Sequence, residues 1–451
     1  MTTTTSDGLL RRLSLRDLIV SGLLFIGPLA PVGVFGVLHA RSGGAVALVY
    51  VIATAAMGFT AWSYARMSTA VPKAGSVFAY AKAGLGRPAG FVAGWMILLD
   101  YLLIPSVASL FVGIAANSLL PAVPVWAATG AAIAVVTALN LSGVKVAAVV
   151  GTAVLAIEIV LLAVFVVAAV VVLATEGTDR SLLAPFTGSP QAVLGAVSVA
   201  VLSFLGFDAI ASFAEENTGS SRQVGRALLF CLALTGVLFI VQTYLAGLLE
   251  PLTPEQLAAA PDAQDSAFYD MLRAAIGGWL AVAVTAVKAV APAFSAMVAQ
   301  AAVSRLLYGM ARDGQMPALL GRVDRRAHVP RNATLLAAAV TLLVSVWAAS
   351  ATDGLEVLSS LVTVGALASF VLLHAAVVGY FAVAGRERGW AVVVAPVVGA
   401  LIALAVLVTA SPLALAAGGV WLVIGVAAHL VTRGGPAELS GGRDRQSDRG
   451  L

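Results

Sequence analysis

Apolar runs long enough to cross a bilayer recur along almost the whole chain, each bounded by charge or by turn residues. A helix needs about 20 mostly apolar residues to span about 30 Å of hydrocarbon. Runs of that kind stand at 16–40, 44–69, 88–116, 124–141, 146–174, 190–214, 225–249, 275–311, 333–350, 355–383, 389–410 and 413–432. They lack the alternation over about 10 residues that marks strands of a membrane barrel. With 60% hydrophobic and 11% charged residues, the chain is too poor in charge to wet the surface of a soluble globule. The pattern predicts an all-α integral membrane protein with twelve transmembrane helices.

Basic residues set the expected orientation. If the N-terminus faces the cytoplasm, 22 of the 26 Lys and Arg residues fall in inside segments. Only Arg41, Arg180 and Arg273 fall outside, and Lys288 lies within a span. Positive charge is retained on the cytoplasmic side, so both termini are expected to be cytoplasmic, in the cell inner (plasma) membrane. Met1 to Asp7 lacks the apolar core of a cleavable signal, so the first span should stay as an anchor. The expected organisation is a tail at 1–14, a core at 15–385, two further spans within 386–432 and a disordered tail at 433–451. The acidic connection from Glu250 to Arg273 reads as a solvated loop or a cation-attracting vestibule, with a short helix capped by Thr253.

Two spans carry breaks. The first holds Gly27-Pro28-Leu29-Ala30-Pro31-Val32-Gly33; its prolines remove two backbone donors and clash with carbonyls a turn earlier. The sixth holds Phe204-Leu205-Gly206-Phe207-Asp208. An ionised carboxylate near the bilayer centre costs about 2.5–3.5 kcal/mol even on insertion scales, so Asp208 must face protein or water. Spans one and six are equivalent if spans one to five and six to ten are repeats, and because five is odd the second is inverted. Interrupted spans in matching positions point to a midplane binding site. Free N–H groups at such a break suit a carboxylate, and free carbonyls suit an ammonium or another cation.

Phe204 to Ala209 followed by Glu215-Glu216 resembles the sixth span of the amino acid, polyamine and organocation permeases. Val71 to Ala81, Gly90 to Pro105 and Val303 to Gly314 are similar to that superfamily's second cytoplasmic segment, third span and end of the eighth. The pattern is nearest to bacterial putrescine importers, through Leu99-Asp100-Tyr101 with Pro105, Ser203 to Ala209, and Ser304 to Tyr308. The resemblance implies a leucine-transporter-type 5+5 inverted repeat with two extra C-terminal helices, and uptake driven by an ion gradient, usually protons. The break in span one departs from the Gly-Ser/Ala-Gly-Ile type that many amino acid members use for the substrate carboxylate.

These arguments nominate Gly27, Pro28, Pro31, Gly33, Tyr101, Phe204, Gly206, Phe207, Asp208 and Glu215 for the substrate, and Glu158 and Lys288 for coupling. Asp208 either caps the second half of span six or meets an ammonium. Glu215 and Glu216 either form an inner-gate ion pair with Arg222, Arg226 or Lys145, or handle substrate or protons; the resemblance puts a functional carboxylate at Glu215. Tyr101 offers an aromatic face to a cation, or simply packs. Phe204 and Phe207 are lids or core. Glu158, in span five, either titrates as a proton carrier or is fixed by carbonyls of the broken helix. Lys288 is a tethered cation or a carboxylate's partner; pointing into the site, it would repel a diamine.

The leading expectation is proton-coupled secondary uptake of an amine, putrescine favoured, with a neutral or other amino acid permease or exchanger as the alternative. A substrate-sensing membrane protein is the alternative of another class, although no sizeable soluble domain is evident. An enzyme is not expected: no nucleotide loop, His-Glu-x-x-His pair or serine elbow occurs, and His39, His328, His374 and His429 are dispersed. No cofactor, metal or nucleic-acid partner is expected, and the protein should be a monomer or dimer in the lipid bilayer. The single cysteine, Cys231, permits no internal disulfide and is expected to be buried.

Overall fold

The computed structural model describes residues 9–433 except 121, 325, 352 and 353. The expected disordered tail from Arg433 onward and the first eight residues lie outside this range, apart from the backbone of Arg433 itself. Among the described residues the chain is helical, with one isolated β-bridge, between Leu13 and Asn217. Helical hydrogen bonding satisfies backbone polar groups where lipid offers no partner.

In chain order the helices are α1 (Leu15–Ile26), α2 (Phe35–Arg41), α3 (Val46–Ala70), α4 (Val77–Leu85), α5 (Arg87–Leu119) and α6 (Val125–Leu141). They continue with α7 (Val144–Thr175), α8 (Pro190–Leu202), α9 (Ser221–Leu249), α10 (Pro254–Ala259), α11 (Pro261–Gln264) and α12 (Ala267–Ala275). The series ends with α13 (Gly278–Arg312), α14 (Arg331–Ser350), α15 (Gly354–Val377), α16 (Ala391–Leu407) and α17 (Pro412–Arg433). Ten helical segments are long and apolar enough to cross a membrane, and α6 and α16 are shorter apolar helices. At 17 residues each and 1.5 Å per residue, those two reach about 25 Å. Together they match the twelve expected runs.

Both expected breaks are present. α1 begins with a capping box between Ser14 and Asp17 and stops at Gly27, whose φ of 77° is open to glycine. A 3₁₀ turn, Ala30–Gly33, leads into α2. In the sixth run, α8 ends at Leu202 and the chain resumes as the 3₁₀ segment Phe207–Glu216. Gly206 holds the capping position at φ 108°, and no side chain caps this segment. Asp208 is therefore not the helix cap that the sequence allowed. In the acidic connection, Thr253 does cap α10, in a capping box with Gln256.

Packing carries the two breaks to one place. α1 lies against the 3₁₀ segment, and a Cβ added to Gly206 would sit 2.5 Å from the Phe25 ring. Gly22 likewise leaves room for Ile210 and Cys231. Around them α3 runs along α9, and α5 along α13 and α15.

Candidate functional site

The breaks free backbone carbonyls, and neighbouring helices collect them. Gln242 Nε2 of α9 donates to Pro28 O at 3.0 Å, and Ser295 Oγ of α13 donates to Leu24 O at 2.8 Å. Lys288 Nζ, also of α13, reaches Leu29 O at 3.4 Å. Gln242 and Ser295 were not foreseen; a single polar side chain in an apolar run carries no local signal of its partner.

Asp208 sits just beyond the second break and is fully buried. Its Oδ2 accepts hydroxyl hydrogen bonds from Tyr101 of α5 at 2.5 Å and from Tyr64 of α3 at 3.1 Å, while Oδ1 has no partner among the described residues. Tyr101 also approaches Ser76 Oγ at 3.5 Å. Tyr64 stands edge-on to Phe207, Tyr80 and Phe370, with ring centroids at 6.0, 6.0 and 5.8 Å. Hydroxyl donors aimed at one oxygen favour the ionised carboxylate, while burial opposes it. The other oxygen is left for a donor that is not part of the chain's own network. Tyr64, Tyr80 and Phe370 complete an aromatic wall for which the sequence nominated only Tyr101 and Phe207.

The remaining nominees scatter around this point. Pro28 and Pro31 are buried in the break, whereas Gly33 is exposed, with nothing within 4 Å of an added Cβ. Phe204 joins Tyr50 and Phe239 in a separate cluster, at 6.2 and 5.0 Å, braced by the 2.9 Å contact between Tyr50 and Ser203. Glu158 of α7 and Lys288 interact electrostatically beside the first break, Glu158 Oε1 lying 4.0 Å from a Cβ added to Gly27. Lys288 is thus within electrostatic reach of a carboxylate, without a direct ion pair to it among the described residues.

Glu215 lies at the arginine-rich end of the bundle. It pairs with Arg312 and accepts the Ala74 N–H at 3.0 Å. Its neighbour Glu216 forms a buried pair with Arg305, Nε to Oε1 at 2.7 Å and Nη2 to Oε2 at 3.3 Å. The expected partners Arg222 and Arg226 give way to arginines of α13, because α13 runs alongside the 3₁₀ segment, and the side chain of Lys145, the third expected partner, lies outside the described residues. The N-terminal segment adds a clasp: Arg12 N and Leu13 N both donate to Glu216 O, at 2.8 and 2.9 Å. At the other end, α2 packs so closely on the α11–α12 junction that a Cβ on Gly36 would lie 2.2 Å from Gln264 O.

Comparison with known proteins agrees with this architecture. The family described as "Amino acid permease" matches residues 18–428. The chain belongs to the amino acid permease family. The permease is 30% identical over 438 residues to the low-affinity putrescine importer PlaP of Escherichia coli, covering 94% of each chain. It is 25% identical over 395 residues to the branched-chain amino acid permease BcaP of Bacillus subtilis, covering 83% of this chain and 82% of the relative. It is 29% identical over 396 residues to a vacuolar cationic amino acid transporter 2 of Arabidopsis thaliana, covering 79% of this chain and 58% of the relative. A transporter, not an enzyme, is therefore at hand, and its substrate is a small molecule.

Proposed function

We propose that the permease imports an alkylamine, putrescine favoured, by proton-coupled alternating access across the inner membrane, with both termini cytoplasmic. The observation that carries this reading is the buried Asp208 carboxylate, held by Tyr64 and Tyr101 with one oxygen free, at the meeting point of the two helix breaks. A primary ammonium supplies the missing donor, and the aromatic wall attracts its charge by about 0.5–2 kcal/mol. Lys288 is engaged with Glu158 and Leu29 O, which removes the objection that a free cation would repel a diamine. The likeness to a putrescine importer supports the same choice.

The lateral packing of α3 on α9 and of α5 on α13 matches the second span with the seventh and the third with the eighth. That supports a 5+5 inverted repeat of the leucine-transporter type, with α16 and α17 outside it. In such a repeat the first and sixth spans rock together around the site. The Glu158–Lys288 pair beside the first break is the proposed coupling element.

A neutral amino acid is the competing substrate, favoured by the likeness to a branched-chain amino acid permease. Proteoliposome uptake of labelled putrescine, challenged with spermidine, lysine, arginine, alanine and glutamate, separates the two. Inhibition by amines alone supports the proposal, and inhibition only by neutral amino acids defeats it. Uptake that survives collapse of the proton gradient would defeat the proton-coupled part.

A further inference from the structure

Asp100 of α5 plays no part in the site as described, yet it immediately precedes Tyr101, the tyrosine that holds Asp208. Its side chain has zero exposure, and both carboxyl oxygens lack a hydrogen-bond partner among the described residues. Asp208 and Tyr101 lie within electrostatic reach of it. The hydroxyls of Tyr80 and Ser212 are also buried without hydrogen-bond partners among the described residues.

Among the described residues, most charged and titratable groups on the elements packed against α5 are engaged elsewhere. On α13, Arg305 is held by Glu216 and Arg312 by Glu215, Lys288 donates to Leu29 O within electrostatic reach of Glu158, and Tyr308 contacts Arg312. On α4, Lys82 is bound to Asp313, which leaves Tyr80. On α15, His374 meets Thr60 and Ser63, and Gly365 brings its backbone against the Asp100 amide. On α17, His429 stacks on Phe91; α14 offers Arg331 at its exposed start, and α6 has no ionisable residue. None of these cations hydrogen-bonds to Asp100.

Two carboxylates within reach of each other, without a cation, cannot both remain charged in a dry site. Asp208 has two hydroxyl donors that favour its charge, and Asp100 has none. A proton is also the one occupant that needs no cavity. We propose that Asp100 holds a proton while the Asp208 site is empty and releases it when an alkylammonium arrives at Asp208. The arriving charge cancels the repulsion from Asp208 and gives Asp100 a counter-ion, so its O–H bond breaks and the proton passes to water. This rests on the reading of Asp208 as the amine site. The sign is competitive: the Asp100 proton opposes the amine, whereas a driving proton at Glu158 and Lys288 would accompany it.

The test uses the full-length protein in nanodiscs, with putrescine as probe. In weakly buffered solution with a pH indicator, wild type should release about one proton per putrescine bound, and affinity should tighten about tenfold per pH unit while Asp100 is protonated. Asp100→Asn, which copies the size of the protonated acid, should still bind putrescine but release no proton and lose the pH dependence. Glu158→Gln, which removes any proton taken up with the amine at that pair, should release at least as many protons as wild type. Equal release from wild type and Asp100→Asn would overturn the proposal. If putrescine does not bind at all, the assigned substrate fails, and infrared spectroscopy decides Asp100 by itself. A protonated-carboxyl band lost in Asp100→Asn supports the proton site, and a band unchanged by that substitution refutes it.

Discussion

Glu216→Gln isolates the latch at the arginine-rich end. The wild-type pair is nearly inaccessible, with side-chain exposures of 3% for Arg305 and 2% for Glu216. Glutamine keeps the shape but strands a buried guanidinium, and removing one partner of such a pair costs about 3–5 kcal/mol. Arg305 keeps its bonds to Ala301 O and Ser304 Oγ and its place over the Phe213 ring, which favours the lower end. Opening toward this end would hydrate Arg305 and relieve the cost. At about 1.4 kcal/mol per tenfold, opening should rise about 100-fold. Ser212, buried between Asp208 and Glu216, is the reporter site: Ser212→Cys in a Cys231→Ala background carries a single thiol. Its modification by an impermeant reagent should accelerate about 100-fold from the arginine-rich side alone. Adding Arg305→Met removes the stranded charge and should return the rate toward its starting value. An unchanged rate in Glu216→Gln, or acceleration from the opposite side, would refute the latch.

Gly206→Ala should cost about 1–2 kcal/mol for the left-handed conformation and about 1–3 kcal/mol more for overpacking on Phe25. Thermal unfolding should show that loss, while Gly33→Ala, which meets nothing within 4 Å, should be near neutral. Tyr101→Phe deletes the 2.5 Å bond to Asp208 and Tyr64→Phe the 3.1 Å one; thermal melts should rank Tyr101→Phe as the more damaging, on the order of 1.5–3 kcal/mol for a bond to a charged group. Glu158→Gln should impair gradient-driven uptake more than substrate exchange, and equal loss in both assays would assign it a purely structural role. Glu250, after the end of α9, is pushed up to about 7 by burial, against the opposing Leu252 N–H and Arg180. Its folded form binds the proton more tightly than the unfolded chain does, so its stabilising contribution is present below about pH 4.5 and fades as pH rises through about 7. Melting temperature should fall over that window, and Glu250→Gln should flatten the fall.

What was legible in the sequence was local. The runs that became spans, the glycine and proline breaks, and the Thr253 cap each depend on residues a few positions apart. The partners across the bundle were not legible. Glu215 and Glu216 find arginines 97 and 89 positions away, and nothing in helices apolar on every side indicates which face meets which neighbour. Nearby Arg222 and Arg226 were the natural guess, and packing against α13 overrode it. Asp208 shows the same limit. As a residue type it suits a cap, but Gly206 takes that position, and two tyrosines from α3 and α5 arrive through tertiary packing alone.

The two closures around Asp208 differ in kind, and the difference bears on how the proposed cycle would run. At the arginine-rich end, four ion pairs among the described residues join separate segments: Arg305 with Glu216, Arg312 with Glu215, Lys82 with Asp313, and Arg66 with Glu387. Water entering there re-solvates the charges it separates, which offsets part of the cost of opening. At the far end α2 meets the α11–α12 junction by direct backbone approach at Gly36, a close-packed contact without an ion pair that water could replace. Close-packed surfaces separate as units or not at all, so opening that face requires α2 to move relative to α10–α12. α2 follows directly from the first break, where Lys288 grips Leu29 O and faces Glu158. In the proposed cycle, a change in charge at Glu158 and Lys288 would weaken the hold on Leu29 O and free α2 to move, while the ion pairs of the arginine-rich end would govern the near side.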